Sequence, residues 1–167
     1  MSLVVLLGGA RSGKSALAVR LAGESATLIA TGEPTDAEME ERIRRHREER
    51  PAGWRTVEEP RQLRSALAAA AREECVVVDC LSLWVSNLMA DGWSDEAIQN
   101  EAALVAAAVA ARAGQTIVVS NEVGMGVVPA TPLGRRYRDL LGRVNAAFAA
   151  AADRALLVVA GRALELA

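Results

Sequence analysis

Leu3-Val4-Val5-Leu6-Leu7 runs directly into Gly8-Gly9-Ala10-Arg11-Ser12-Gly13-Lys14-Ser15 and then into Ala16-Leu17-Ala18-Val19-Arg20-Leu21. A short apolar strand enters a G-x-x-x-x-G-K-[ST] turn and leaves as an amphipathic helix, the order a phosphate-binding P-loop requires. The glycines let backbone N–H groups turn inward around phosphate oxygens, and the following helix adds the positive end of its dipole. Lys14 has the length to reach β- and γ-phosphates, and the Ser15 hydroxyl is placed to ligate Mg²⁺. An ordinary strand-to-helix turn seldom carries the whole pattern with both flanks, so the chain is expected to bind a nucleoside triphosphate.

Further apolar runs recur at residues 27–30, 76–79, 116–120 and 155–160. They are continuous rather than alternating, as strands buried on both faces require. Helical patterns occupy residues 14–22, 35–49, 61–72, 81–90, 94–113 and 131–152. Thr35 with Glu38 reads as a capping box, and Thr131-Pro132 as an N-cap followed by proline at the first helical position. Trp54-Arg55-Thr56-Val57 offers one further strand, while residues 162–167 carry no motif. Strand and helix alternate, so the expected fold is α/β and P-loop NTPase-like, a mostly parallel sheet with helices on both faces. One nucleotide-binding domain over residues 1–167 is expected.

Composition narrows the function. The 167 residues are 51% hydrophobic and 24% charged, with net charge −2, which argues against an extended nucleic-acid surface. Three Trp, one Tyr and one Phe leave an aliphatic core and no platform for stacking bases. No apolar run is long enough to cross a membrane and no signal-peptide pattern precedes the first strand, so a cytoplasmic location is expected. Cys75 and Cys80 flank an apolar strand without a histidine nearby, and read as core thiols rather than metal ligands.

In a parallel sheet of this kind ligands sit beyond the carboxyl ends of the strands. Asp79 ends its strand as a Walker-B acid does and is a candidate Mg²⁺ ligand with Ser15; the alternative is that it caps the next helix. Glu122 is the other strand-end acid, open to either a substrate-orienting or a structural role. His46 is the sole histidine and has Arg42 and Arg50 one helical turn to either side. Neighbouring cations keep an imidazole neutral and therefore nucleophilic, and can hold a phosphate beside it; a basic helix run can equally be a solvated face.

Several segments together resemble a known family. Gly8 to Ser15, Arg42-Ile43-x-x-His46, Arg50-Pro51-x-x-Trp54-Arg55-Thr56, Asn121-Glu122-Val123-Gly124-Met125-Gly126-x-Val128-Pro129 and Gly142-Arg143-Val144-Asn145 are similar to the bifunctional adenosylcobinamide kinase/adenosylcobinamide-phosphate guanylyltransferases of cobalamin biosynthesis. The resemblance runs from residue 3 to about residue 161. It implies two reactions: phosphorylation of adenosylcobinamide by ATP or GTP, and transfer of GMP from GTP to adenosylcobinamide-phosphate. It further implies a guanylylated histidine at His46, a homotrimer, and nucleotide contacts from Gly8, Gly9, Ala10, Arg11, Ser12, Gly13, Lys14 and Ser15. Thr31, Gly32, Glu33, Pro51, Ala52, Gly53, Trp54 and Glu58 are placed by the same resemblance around the guanine nucleotide. One departure is Arg45, where some relatives carry a second histidine, so a single imidazole is left to attack. The rival readings are a plain P-loop small-molecule kinase with a structural His46, and a nucleotide-dependent switch whose Arg-rich helix binds a partner.

Overall fold

The computed structural model describes residues 2–48 and 51–166, without the side chains of Arg42 and His46. Its elements follow the order β1 (Ser2–Gly8), α1 (Lys14–Ala22), β2 (Thr27–Ala30), α2 (Ala37–Glu48), β3 (Arg55–Glu58), α3 (Leu63–Ala69), β4 (Val76–Asp79), α4 (Leu81–Ala90), α5 (Asp95–Ala110), β5 (Gln115–Asn121), α6 (Pro132–Ala151), β6 (Arg154–Val159) and β7 (Arg162–Leu166). The strands form one sheet in the order β3-β2-β4-β5-β1-β6-β7. All neighbours are parallel except β6 and β7, which form an antiparallel hairpin at one edge.

β1 shows why the apolar runs are continuous. Leu3, Val5 and Leu7 point into a core shared with α3, α4, α5 and α6, while Val4 and Leu6 point into a second core shared with α1. Each face of the strand is covered, so no position is left for a polar side chain. Trp84 and Phe148 are fully buried in the larger core, and the partly buried Trp93 and Tyr137 pack against it. The α/β architecture expected from the sequence is the one observed.

Three local details differ from the sequence reading. α2 begins at Ala37, and the Asp36 carboxylate accepts from the Met39 N–H at 2.8 Å, so the cap is Asp36 rather than Thr35. α3 is shorter than expected at its start because the Glu59 carboxylate takes the N–H groups of Arg61 (3.0 Å) and Gln62 (2.8 Å). The residues from Arg162 onward, which carry no motif, form β7. Thr131 caps α6 as expected, accepting from Gly134 N–H at 3.1 Å with Pro132 at the first helical position.

Candidate active site

The P-loop leaves β1 at Gly8 and is held from two sides. The Glu122 N–H donates to Gly8 O at 3.0 Å, and the Gly161 N–H donates to Ser12 O at 2.8 Å. Gly8 has φ +155°, and a Cβ there would stand 2.3 Å from Val158 O on β6, so only glycine fits. Gly13 adopts φ +102° as the residue preceding α1, where a side chain would be strained. The loop is thus pressed against the β6–β7 hairpin, a support the sequence reading did not anticipate.

Lys14 lies across this loop and is 93% buried by its neighbours, being only 7% exposed. Its ammonium donates to Gly8 O at 2.8 Å and Gly9 O at 2.6 Å, with Ser12 Oγ at 3.4 Å. These bonds fix the stem of the side chain and hold the charge over the phosphate cradle.

Beyond the loop a cavity of about 530 Å³ is lined by Ala10 to Ala16, Glu38, Arg45, Asp79, Cys80, Val119 and Asn121. An adjoining cavity of about 300 Å³ has Ala30, Gly32, Pro34, Met39, Ile43, Arg47, Glu58 and Leu83 among its walls. Ser15, Asp79 and Cys80 line both, so the two form one cleft across the carboxyl ends of β1, β2, β4 and β5. The first has the polar lining and glycine loop that suit phosphates; the second is the more apolar. α4 starts after Cys80 with no side-chain cap bond, so Asp79 is not serving as that helix's cap.

α2 forms the outer wall of the cleft. Glu38 and Arg45, seven positions apart and on one helix face, line the first cavity. Met39, Glu40, Ile43, Arg44 and Arg47 line the second. By helical period, position 46 falls between those two faces. The His46 and Arg42 side chains, and Arg50 altogether, lie outside the described residues.

The remaining expected contacts separate into two groups. Gly32 and Glu58 line the second cavity, and Glu58 is ion-paired with Arg47. Thr31 is fully buried, and its hydroxyl donates to Cys80 O (2.7 Å) while accepting from Cys80 N–H (2.8 Å), tying the ends of β2 and β4 together. Glu33 accepts from Arg61 at 2.8 Å, and Arg61 also binds Asp91, whose carboxyl it holds below the usual range by hydrogen bonding. Asn87 secures the same corner by donating to Thr31 O (2.8 Å) and Pro60 O (3.1 Å).

Pro51, Ala52, Gly53 and Trp54 are not brought to the cleft. Arg55 pairs with Thr27 at the amino ends of β3 and β2, so Trp54 lies on the opposite edge of the sheet from the P-loop. Its indole N–H donates to Gly23 O at 2.9 Å, at the far end of α1, and Gly53 packs on the Glu24 backbone. The segment closes the bottom of the second core, and within this chain its separation from the P-loop follows from the parallel pairing.

The Asn121 to Pro129 segment is shaped by a residue to which the sequence assigned no role. Asn145, buried on α6, accepts from Ser120 Oγ at 2.6 Å and donates to Asn121 O at 3.0 Å. Glu122 turns its carboxylate back onto the Gly124 N–H. Arg135 donates to Pro129 O and Ala130 O, both at 2.9 Å, which anchors the far end. Between these anchors Met125 and Val127 are exposed.

Residues 4–166 match the family described as cobinamide kinase / cobinamide phosphate guanyltransferase. The chain belongs to that family. It is 43% identical over 166 residues to the bifunctional adenosylcobalamin biosynthesis protein CobP of Pseudomonas aeruginosa, covering 97% of this chain and 95% of that protein. It is also 40% identical over 174 residues to the bifunctional adenosylcobalamin biosynthesis protein CobU of Escherichia coli, and 38% identical over 174 residues to that of Salmonella typhimurium. Each of these two alignments covers 95% of this chain and 96% of the relative.

Proposed function

We propose that this protein phosphorylates the hydroxyl of adenosylcobinamide with ATP or GTP, and then transfers GMP from GTP to the resulting phosphate through a guanylyl-His46 intermediate. The observation that carries the reading is the two-part cleft: a P-loop cavity, an adjoining more apolar cavity, and α2 running along both with position 46 between its two lining faces. In the kinase step the acceptor oxygen attacks the γ-phosphorus, the bond to the β-phosphate oxygen breaks, and the hydroxyl proton is released. The protein's part is positioning and charge neutralisation by Lys14, Arg11 and the P-loop amides. In the second reaction an imidazole nitrogen of His46 attacks the α-phosphorus of GTP and pyrophosphate leaves. The phosphate oxygen of adenosylcobinamide-phosphate then displaces the imidazole, so one difficult displacement becomes two easier ones.

Ser15 and Asp79 offer a hydroxyl and a carboxylate on the same walls of the cleft, which is the hard-oxygen pair Mg²⁺ takes when phosphates complete its shell. Mg²⁺ held there would neutralise phosphate charge in both reactions. The guanine nucleotide lies over Gly32 and Glu58. A homotrimer in the cytoplasm is part of the same proposal, and light scattering on the purified protein tests the assembly. Among the described residues no helix is long and apolar enough to cross a membrane.

The deciding experiment is incubation with α-labelled GTP and Mg²⁺. The wild type should acquire an acid-labile, base-stable label, and His46→Asn should not. His46→Asn should keep phosphorylating adenosylcobinamide while failing to convert the phosphate. A labelled mutant would place the nucleophile elsewhere, and an unlabelled wild type with intact kinase activity would reduce the protein to a plain kinase.

A further inference from the structure

Among the described residues, Arg45 is the cation that α2 adds to the lining of the P-loop cavity. It shares the roughly 530 Å³ cavity with Arg11, Lys14, Ser15 and Asp79, but comes from α2, on the opposite wall. Its partner on its own helix is weak: the Glu41 carboxylate is held by Arg44 at 2.6 Å, while Arg45 Nε stands 3.8 Å from it. Arg44 and Arg47, by contrast, are tied to Glu41, Glu48 and Glu58 and line the other cavity. The first cavity also contains two carboxylates, Glu38 and Asp79, which offset the charges of Arg11 and Lys14, so a bound triphosphate needs the further positive charge that Arg45 adds.

We propose that Arg45 is a catalytic residue that contacts the β- and γ-phosphates of the bound nucleotide and neutralises the charge that moves in both reactions. The proposal rests on the two-reaction reading above. In the kinase step the guanidinium stabilises the equatorial oxygens of the γ-phosphoryl group as its bond to the β-phosphate oxygen breaks and the acceptor oxygen bonds. In the guanylyl step, as the His46 nitrogen bonds to the α-phosphorus, Arg45 takes the negative charge that accumulates on the departing pyrophosphate. A planar, permanently charged fork suits this better than an imidazole would, because it donates two parallel hydrogen bonds at any working pH.

The test uses the wild type, Arg45→Ala and Arg45→Lys. Phosphoryl transfer from ATP to adenosylcobinamide and the rate of label transfer from α-labelled GTP are measured separately. Arg45→Ala should lower kcat in phosphoryl transfer by about 100-fold or more, the scale seen on removing one preorganised donor from a transition state. Self-guanylylation should slow alongside it. Arg45→Lys should recover part of the loss, and added guanidinium ion should partly restore Arg45→Ala while leaving the wild type unaffected. Wild-type rates for Arg45→Ala in both steps would overturn the proposal. So would an equal loss in all variants with reduced helical circular dichroism and no response to guanidinium, which would mean Arg45 only supports α2. Absence of label in the wild type would sink the guanylyltransfer reading instead, and the kinase arm would still judge Arg45.

Discussion

Lys14 illustrates how a side chain suited to phosphate also braces its own loop. On the sequence alone it is a phosphate ligand on an exposed turn; in the structure its ammonium is buried against Gly8 O and Gly9 O. Lys14→Met, which keeps the stem, should therefore abolish both activities and also cost roughly 1–3 kcal/mol of stability, because two carbonyls lose a charged donor. Urea unfolding read beside activity checks both parts. Asp79 belongs to the same scale. With no cap bond at the start of α4, Asp79→Asn should leave stability within about 1 kcal/mol of the wild type while raising the Mg²⁺ concentration needed for half-maximal rate. A Mg²⁺ titration unchanged by the mutation would remove Asp79 from the metal site. Cys75 needs no chemical role: burial pushes its thiol up, so little thiolate exists at neutral pH.

At the level of elements, the β6–β7 hairpin was hidden in the sequence for a definite reason. Its two-residue turn, Ala160-Gly161, has φ +50° and +76°, the positive pair a tight type I′ turn requires. Asn or Gly at position 160 would have announced it; alanine does not, and pays a left-handed penalty that tertiary contacts must offset. Ala160→Asn should therefore stabilise the protein by about 0.5–1 kcal/mol, visible as a rise in Tm with activity retained. Gly161→Val should do the opposite and weaken nucleotide binding, since Gly161 holds Ser12 O and its Cα is 3.1 Å from where a Gly13 side chain would begin. Asn145 acts on the other side of the loop. Asn145→Ala leaves Ser120 and Asn121 O without their buried partner and should cost roughly 1–3 kcal/mol, read by urea unfolding, and raise the KM for nucleotide because Asn121 lines the P-loop cavity.

Across the whole molecule, the parallel sheet divides the chain into an end that does chemistry and an end that closes the core. Trp54 lies at the closing end, so Trp54→Phe should lower stability by about 1 kcal/mol through the lost indole bond and leave the KM for GTP unchanged. A raised KM would mean that the segment acts at the site of another protomer. The strand-to-helix order, the P-loop and the buried character of β1, β2, β4 and β5 were legible because each rests on residues adjacent in sequence: period, glycine spacing and a lysine beside a serine. The family was legible for the same reason, through motifs that survive without coordinates. Which of those motifs meet depends on how the strands pair. Arg45 joins the phosphate cavity because α2 crosses the carboxyl edge of the sheet, and Trp54, nine residues later in the chain, leaves it because β3 must start at the opposite edge to run parallel to β2. Sequence proximity sets local conformation, but a strand carries the chain from one edge of the sheet to the other, and the direction of pairing alone settles on which edge a neighbouring residue ends.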